Sequence, residues 1–172
     1  MNQTYLQRTM RRLIGAAAIT LLLGTGTAYA KNLNVYTWIQ VNAPAEAVWA
    51  EIGSFCDVTK ILPAVIVDCV LNSGKGVGSI RYLTFEDGMK VDEPMANQGP
   101  HEYTYIMSKG FLTDARYRST LRAYPATDPG TSVVEWLGQI DTDAFEDGGA
   151  EMAETLRTIY QMGLDNIKKM FE

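Results

Sequence analysis

The sequence predicts an α+β domain in which a curved seven-stranded antiparallel sheet wraps a long C-terminal helix, with two short helices after the first strand. Three observations carry that expectation. Seven segments alternate apolar and polar residues at period two, two short helical stretches fall between the first and second of these, and one run at helical period closes the chain.

The first 30 residues stand apart from this domain. Arg8, Arg11 and Arg12 precede an apolar run, Leu13 to Leu23, which ends in small residues and "AYA" at 28 to 30. That is the pattern of a secretory signal peptide cleaved after Ala30. As an uncleaved anchor the run is short, because a membrane span needs about 20 apolar residues. The reading is therefore a periplasmic or secreted protein comprising residues 31–172, without stable membrane insertion once the signal is removed. The pair Arg11-Arg12 leaves the export route open. Without the leader the chain carries 12 Lys and Arg against 20 Asp and Glu, a net charge of −8. An acidic protein gains nothing from counterion release on nucleic acid and is repelled by anionic lipid heads, so neither is an expected partner. No repeat or linker divides the remaining residues, which suit one domain.

Each element has its own signal. "NLNVYTWIQV" sets Leu33, Val35, Thr37, Ile39 and Val41 on one face of a strand. Asn42 is placed to cap a helix with Pro44 and Glu46 in its first turn and Ala45, Val48, Trp49 and Ile52 inward. A second short helix starts at Asp57, and strands follow over 65–71 and 79–85. Asp87-Gly88 is a hairpin signal that delivers Val91, Glu93 and Met95 to one face of the fourth strand. Tyr103, Tyr105 and Met107 share a face in the fifth, as do Tyr117, Ser119, Leu121 and Ala123 in the sixth, opposite a solvated row of Arg116, Arg118 and Arg122. In the seventh, 132–141, Val134, Trp136 and Ile140 face inward. The helix from about Gly149 to Met170 repeats Met152, Leu156, Ile159, Tyr160, Gly163, Ile167 and Met170 every three or four residues.

Cys56 and Cys69 are the only cysteines, and export would place them where disulfides persist. If the second helix runs out and the next strand runs back, the two sulfurs meet; a loop this short would contribute about 3 kcal/mol. Two buried free thiols are the alternative. Metal and cofactor sites are not expected, since His101 is the only histidine and no phosphate-cradling loop or nucleotide motif is present.

Alternation points Glu93, Tyr105, Tyr117 and Trp136 inward, towards Leu156, Ile159 and Tyr160 of the long helix, where Gly163 removes a side chain. A glutamate on an inward face costs several kcal/mol unless water or a partner meets it, which favours a wet cavity over a packed core. Slipping the strand by one residue would instead leave Glu93 in solvent.

The order "APAEAVWAEIGSF", "ILPAV", "GVGSIRYLTFEDGMKVDE", "ARYRSTLRAYP", "TSVVEWLGQID" and "IYQMGLDNIKKMF" resembles the START-like, Bet v 1-like (SRPBCC) superfamily in its polyketide cyclase/dehydrase branch. The resemblance implies a helix-grip fold with a cavity for apolar ligands between sheet and helix. It also implies that Glu93 and Tyr117 correspond to pocket residues of the abscisic-acid receptors, with "FEDGMK" at the place of their gate and "GFLTDA" at that of their latch. Where those receptors anchor a carboxylate with lysine, this chain has Ala64 or Val65.

Two functions from different classes follow. The first is a carrier for a small apolar ligand contacted by Glu93, Tyr105, Tyr117, Trp136, Leu156, Ile159, Tyr160 and Gly163. The second draws on exported MxaD-like members of the superfamily, which resemble accessory factors assisting a periplasmic dehydrogenase and its cytochrome; an acidic surface suits such a protein partner. A polyketide cyclase-like enzyme, with Glu93 and Tyr117 as acid and base, ranks third because no nucleophile triad is present.

Overall fold

The computed structural model describes residues 32–72 and 74–172, so the leader read at residues 1–30 lies outside the described residues. Strand β1 (Asn32–Val41) alternates as its sequence dictates, with Val35, Thr37, Ile39 and Val41 buried. Helix α1 (Ala45–Ile52) begins one residue after Pro44, whose carbonyl accepts the Val48 amide at 3.0 Å. Asn42, expected to cap it, does not; the proline holds the extended backbone from which the helix starts, and no side chain caps it. Helix α2 (Val58–Ile61) is a single turn, and the Asp57 carboxylate before it accepts the Ser54 amide at 2.8 Å.

Six antiparallel strands follow: β2 (Ile66–Leu71), β3 (Ile80–Phe85), β4 (Lys90–Gly99), β5 (Glu102–Ile106), β6 (Arg118–Pro125) and β7 (Ser132–Asp141). The sheet order is β1-β7-β6-β5-β4-β3-β2, with β1 and β2 at the edges. Each strand from β2 to β6 pairs with its successor, and β1 joins β7 along its whole length, from Asn32 opposite Asp141 to Val41 opposite Ser132. Strand β6 starts two residues later than the alternation of Arg116 to Tyr124 suggests. Arg116 has a left-handed backbone, φ 48°, and its guanidinium turns to the Asp141 carboxylate instead of joining the row formed by Arg118 and Arg122.

A short 3-10 turn (Thr142–Ala144) leads to helix α3 (Ala150–Lys169). The Asp147 carboxylate anchors its start by accepting the amides of Gly149 at 2.9 Å and Glu151 at 2.8 Å, which neutralises two of the donors a helix N-terminus leaves open. The buried stripe is Ala153, Leu156, Tyr160, Gly163, Leu164 and Ile167. Ala153 and Leu164 were absent from the sequence pattern, while Met152 and Ile159 are half-buried and Met170 is exposed. The stripe rests on β1 and β7, and α2 supports the far end of α3, where Asn166 Nδ2 donates to the Ile61 carbonyl at 3.0 Å. Cys56, just before α2, is joined to Cys69 in β2 by a disulfide with the Cα atoms 5.6 Å apart.

Candidate functional site

The β3–β4 hairpin turns at Glu86 to Gly88 and sets Arg81 directly opposite Glu93. Both side chains point into the interior: Arg81 is 1% exposed and Glu93 4%. Arg81 Nε and Nη2 each donate to Glu93 Oε2 at 2.7 Å, and Nη1 donates to the Phe55 carbonyl at 2.9 Å. The guanidinium carbon stands over two rings that meet at a corner, 4.4 Å from the Phe55 centroid and 4.3 Å from that of Tyr105. Aromatic faces and a carboxylate thus replace the water a buried cation has lost. Burial pushes the Glu93 carboxyl above its ordinary value while Arg81 pulls it down. For Arg81 burial works against the charge, yet the neighbouring Glu93 holds the guanidinium firmly protonated.

This pair corrects the picture of Glu93 as a carboxylate met by water in a roomy cavity. Its partner was legible in principle, because Arg81 is two residues before Leu83 in β3 and so shares its inward face.

Behind the ion pair runs a chain of hydroxyls. Tyr105 and Tyr117 hydroxyls are 3.4 Å apart, those of Tyr117 and Tyr160 2.6 Å, and Tyr160 donates to Ser119 Oγ at 3.1 Å. Ser119 donates onward to the Leu137 carbonyl at 2.6 Å, and Trp136 Nε1 donates to both Tyr105 (3.2 Å) and Ser119 (3.1 Å). Burial pushes the hydroxyls of Tyr117 and Tyr160 well above their ordinary range, so all remain protonated donors at neutral pH. Tyr160 stacks on Trp136 with centroids 4.8 Å apart, and its hydroxyl reaches Ser119 only because Gly138 has no side chain: a Cβ there would stand 2.4 Å from it. Ser119, the junction of the chain, falls on the inward face by alternation but was not among the expected site residues, since a serine there carries no signal of a ligand contact.

A cavity of about 50 Å³ lies among these groups, and Glu93, Tyr105, Tyr117, Trp136, Leu156, Ile159 and Tyr160 all line it. Gly163 does not. A Cβ at Gly163 would meet Trp136 Cζ3 at 2.6 Å and Ile61 Cγ2 at 3.0 Å, so the space its missing side chain leaves is filled by the indole. Phe85, at the end of β3, and Phe111, in the loop after β5, also line the cavity and meet edge to face at 6.2 Å. Phe111 is 46% exposed. For scale, a cavity of about 150 Å³ is known to admit benzene. A ligand of that size therefore enters only as the lining side chains move apart.

The outer face of the sheet carries a second polar cluster. Glu135 is buried there beneath Tyr36, Tyr124 and Arg122; Tyr36 donates to Oε1 at 2.6 Å and Arg122 Nε to Oε2 at 2.5 Å. Burial pushes the Glu135 carboxyl up, but the hydrogen bonds from Tyr124, Tyr36 and Arg122 outweigh it and hold the value below the ordinary 4.5. Accepting from Tyr124 in turn pushes that phenol up to about 12. Beside this cluster an open groove of about 750 Å³ runs between β1 and α3, bordered by Tyr36, Trp38 and Met162. It is larger than the interior cavity but holds no buried ionisable group, so the chemistry resides inside. Among the described residues no cluster of His, Cys, Asp or Glu is placed to hold a metal ion, and no helix is long and apolar enough to cross a membrane.

Residues 33–172 match the family of polyketide cyclase / dehydrase and lipid transport proteins, and the chain belongs to that family. Its fold is the Bet v 1-like helix grip. Among solved structures it is similar to an uncharacterized protein from Bacillus thuringiensis, with 26% identity, 81% of this chain and 98% of that chain covered, and a TM-score of 0.68. Protein XoxI from Bacillus cereus is similar at 26% identity, 80% and 94% coverage and a TM-score of 0.67. Norcoclaurine synthase from Thalictrum flavum, solved with dopamine and hydroxybenzaldehyde, shares the fold at 18% identity, 81% and 86% coverage and a TM-score of 0.62. None of the curated proteins matches the chain.

Proposed function

We propose that this chain is an exported, periplasmic binding protein or carrier for a small hydrophobic ligand held between the sheet and α3. The observation that supports it is the Arg81–Glu93 pair in the wall of a small interior cavity that apolar and aromatic side chains, Phe85 and Phe111 among them, also line. A sheet-and-helix core needs no ion pair for stability, and apolar residues of the same volume commonly serve as well or better. Family membership adds that hydrophobic ligands are the usual cargo of this fold. Carriage is favoured over cyclase chemistry because Glu93 is held against Arg81 and Tyr117 is committed to its neighbours' hydroxyls, which leaves neither free to shuttle a proton. The test is native mass spectrometry of protein purified from the periplasm, together with titration of an apolar fluorescent probe into the parent and into Ile159→Trp, which narrows the cavity. A co-purifying small molecule, with probe binding weakened by the tryptophan, is expected; a solid interior that takes neither would move the function to the surface.

The second reading, an MxaD-like accessory protein, is favoured by the outer face. Trp38 is 54% exposed beside Tyr36 and the groove along α3, an aromatic surface suited to a protein partner. Salt-sensitive binding to a periplasmic dehydrogenase or its cytochrome would support it, and an outer face that binds neither would remove it.

A further inference from the structure

We propose that the open edge of β1, which borders the groove beside α3, takes an extended, uncharged peptide segment of a partner protein as an added strand. The site is independent of the interior cavity. The sheet finishes its two edges differently. Strand β2 has six residues, carries Asp68 and shifts register between Ile66 and Asp68, features that blunt an edge against pairing. Strand β1 has ten residues, no charge, no proline and an unbroken register with β7. Its main chain is also turned outward at every second residue. The Trp136 carbonyl faces β1, where it accepts Thr37 Oγ1 at 3.4 Å, whereas the Asp141 amide faces away from β1 to the Ala115 carbonyl at 2.8 Å. These directions alternate along an antiparallel ladder, so Asn34, Tyr36, Trp38 and Gln40 turn their N–H and C=O groups to the outer edge. Among the described residues no strand pairs with that edge, and the groove of about 750 Å³ runs along it at Tyr36 to Trp38. Main-chain groups in such a row are met by another main chain.

The surroundings decide the occupant. Helix α3 packs chiefly over β1. Two copies joined edge to edge would hold their β1 strands about 4.8 Å apart and their α3 helices at much the same spacing, where packed helices need about 8–10 Å. A single strand with no helix on its back avoids that clash. Charge narrows the class. Arg157 is paired with Glu154, Asp165 accepts from Gln161 Nε2 at 2.8 Å, and with Lys169 the wall holds two acids and two bases. The groove is thus neutral on a protein whose residues 31–172 carry 12 bases against 20 acids, and it asks no charge of its occupant. Side chains on the outer face of the added strand lie beside Tyr36 and Trp38, which favours β-branched or aromatic residues there. Those on the other face meet Thr158, Gln161 and Met162 and suit threonine or serine.

The probe is the capped peptide Thr-Val-Thr-Tyr-Thr-Val-Thr, titrated into isotope-labelled protein. The amide signals of Asn34, Tyr36, Trp38 and Gln40 should shift and become protected from exchange. N-methylation of the tyrosine and valine amides, which face β1, should weaken binding about tenfold or more, and N-methylation of the threonine amides, which face away, should leave it within about twofold. Trp38→Pro should bind more weakly than Trp38→Thr, because both lose the indole and only proline lacks the edge N–H while sparing the bonds to β7. Added salt should leave the affinity level. No binding, equal losses from the two methylated peptides, or signal changes at Asp68 and Val70 of β2 instead would each overturn the proposal. So would a dimer in sedimentation whose β1 amides are protected without peptide, which would put a second copy on the edge. None of these results bears on the cavity, so the carrier reading stands or falls separately.

Discussion

Arg81 and Glu93 occupy directly opposed positions in the β3–β4 register, so the most deeply buried cation of the described residues is neutralised by its own cross-strand neighbour. The pairing is therefore set by the hairpin and does not depend on how distant elements dock.

Breaking this pair from one side should be far more damaging than replacing both partners. Arg81→Met strands a buried carboxylate and should cost about 3–5 kcal/mol in urea unfolding, whereas Arg81→Met combined with Glu93→Leu should recover most of the loss. A double variant no better than the single one would mean that the cage of Phe55 and Tyr105, and not the charge, requires the guanidinium.

Gly163 is expected to tolerate no side chain. The interior pattern alone suggests that Gly163→Leu would fill empty space and leave the melting temperature unchanged. The close approach of Trp136, itself clamped by its stacking on Tyr160, reverses that expectation. Gly163→Ala should already lower stability despite the gain in helix propensity, and Gly163→Leu should cost about 1–3 kcal/mol or more through overpacking. Thermal unfolding of the two variants beside the parent checks the order.

The Glu135 cluster makes stability fall in acid. Its carboxyl is depressed in the folded state, so the unfolded chain takes up the proton first as pH falls. The stabilisation is complete above the ordinary glutamate value of 4.5 and is lost as pH falls through the lower folded value. Glu135→Gln should flatten this part of the profile of unfolding free energy against pH while leaving the neutral limb level. An unchanged acid slope would assign it instead to Asp141 and Asp147, which are depressed by Arg116 and by the helix amides respectively.

For the cysteines, thiol titration of denatured, unreduced protein should find no free thiol. Reduction should lower stability by about 3 kcal/mol, as closure of a short loop implies, and should weaken the Phe55 carbonyl contact to Arg81, since Phe55 is the residue before Cys56.

Strands β1, β3, β4 and β6 were legible because one face of each is buried and the other wetter, which forces a period-two pattern; β2, largely exposed, and β5, buried from Tyr103 to Tyr105, lack it. Helix α3 was legible for the corresponding reason, although its buried stripe also takes in Ala153 and Leu164. The site was legible only in its direction. Alternation turned Glu93, Tyr105, Tyr117 and Trp136 inward, but whether an inward glutamate meets water or a cation depends on the register of another strand, and that register brought Arg81. Gly163 illustrates the same limit. A missing side chain reads equally as an opening or as a seat for a neighbour, and only the position of the Trp136 ring decides.

The disulfide has a consequence for how the protein behaves in a crowd of its own kind. Strand β2 is an edge, and its sequence "IVDCVL" is β-branched, apolar and interrupted by one charge, Asp68, with Val67, Val70 and Leu71 exposed. Such a segment is a template on which further chains can add strand by strand into fibrils. The bond from Cys69 to Cys56 pins this template to the interior side of the fold, so it cannot peel away and lie flat against a neighbour. Reduced protein in sub-denaturing urea should accordingly bind thioflavin and sediment while oxidised protein stays clear: one covalent link guards the molecule against self-assembly as well as against unfolding.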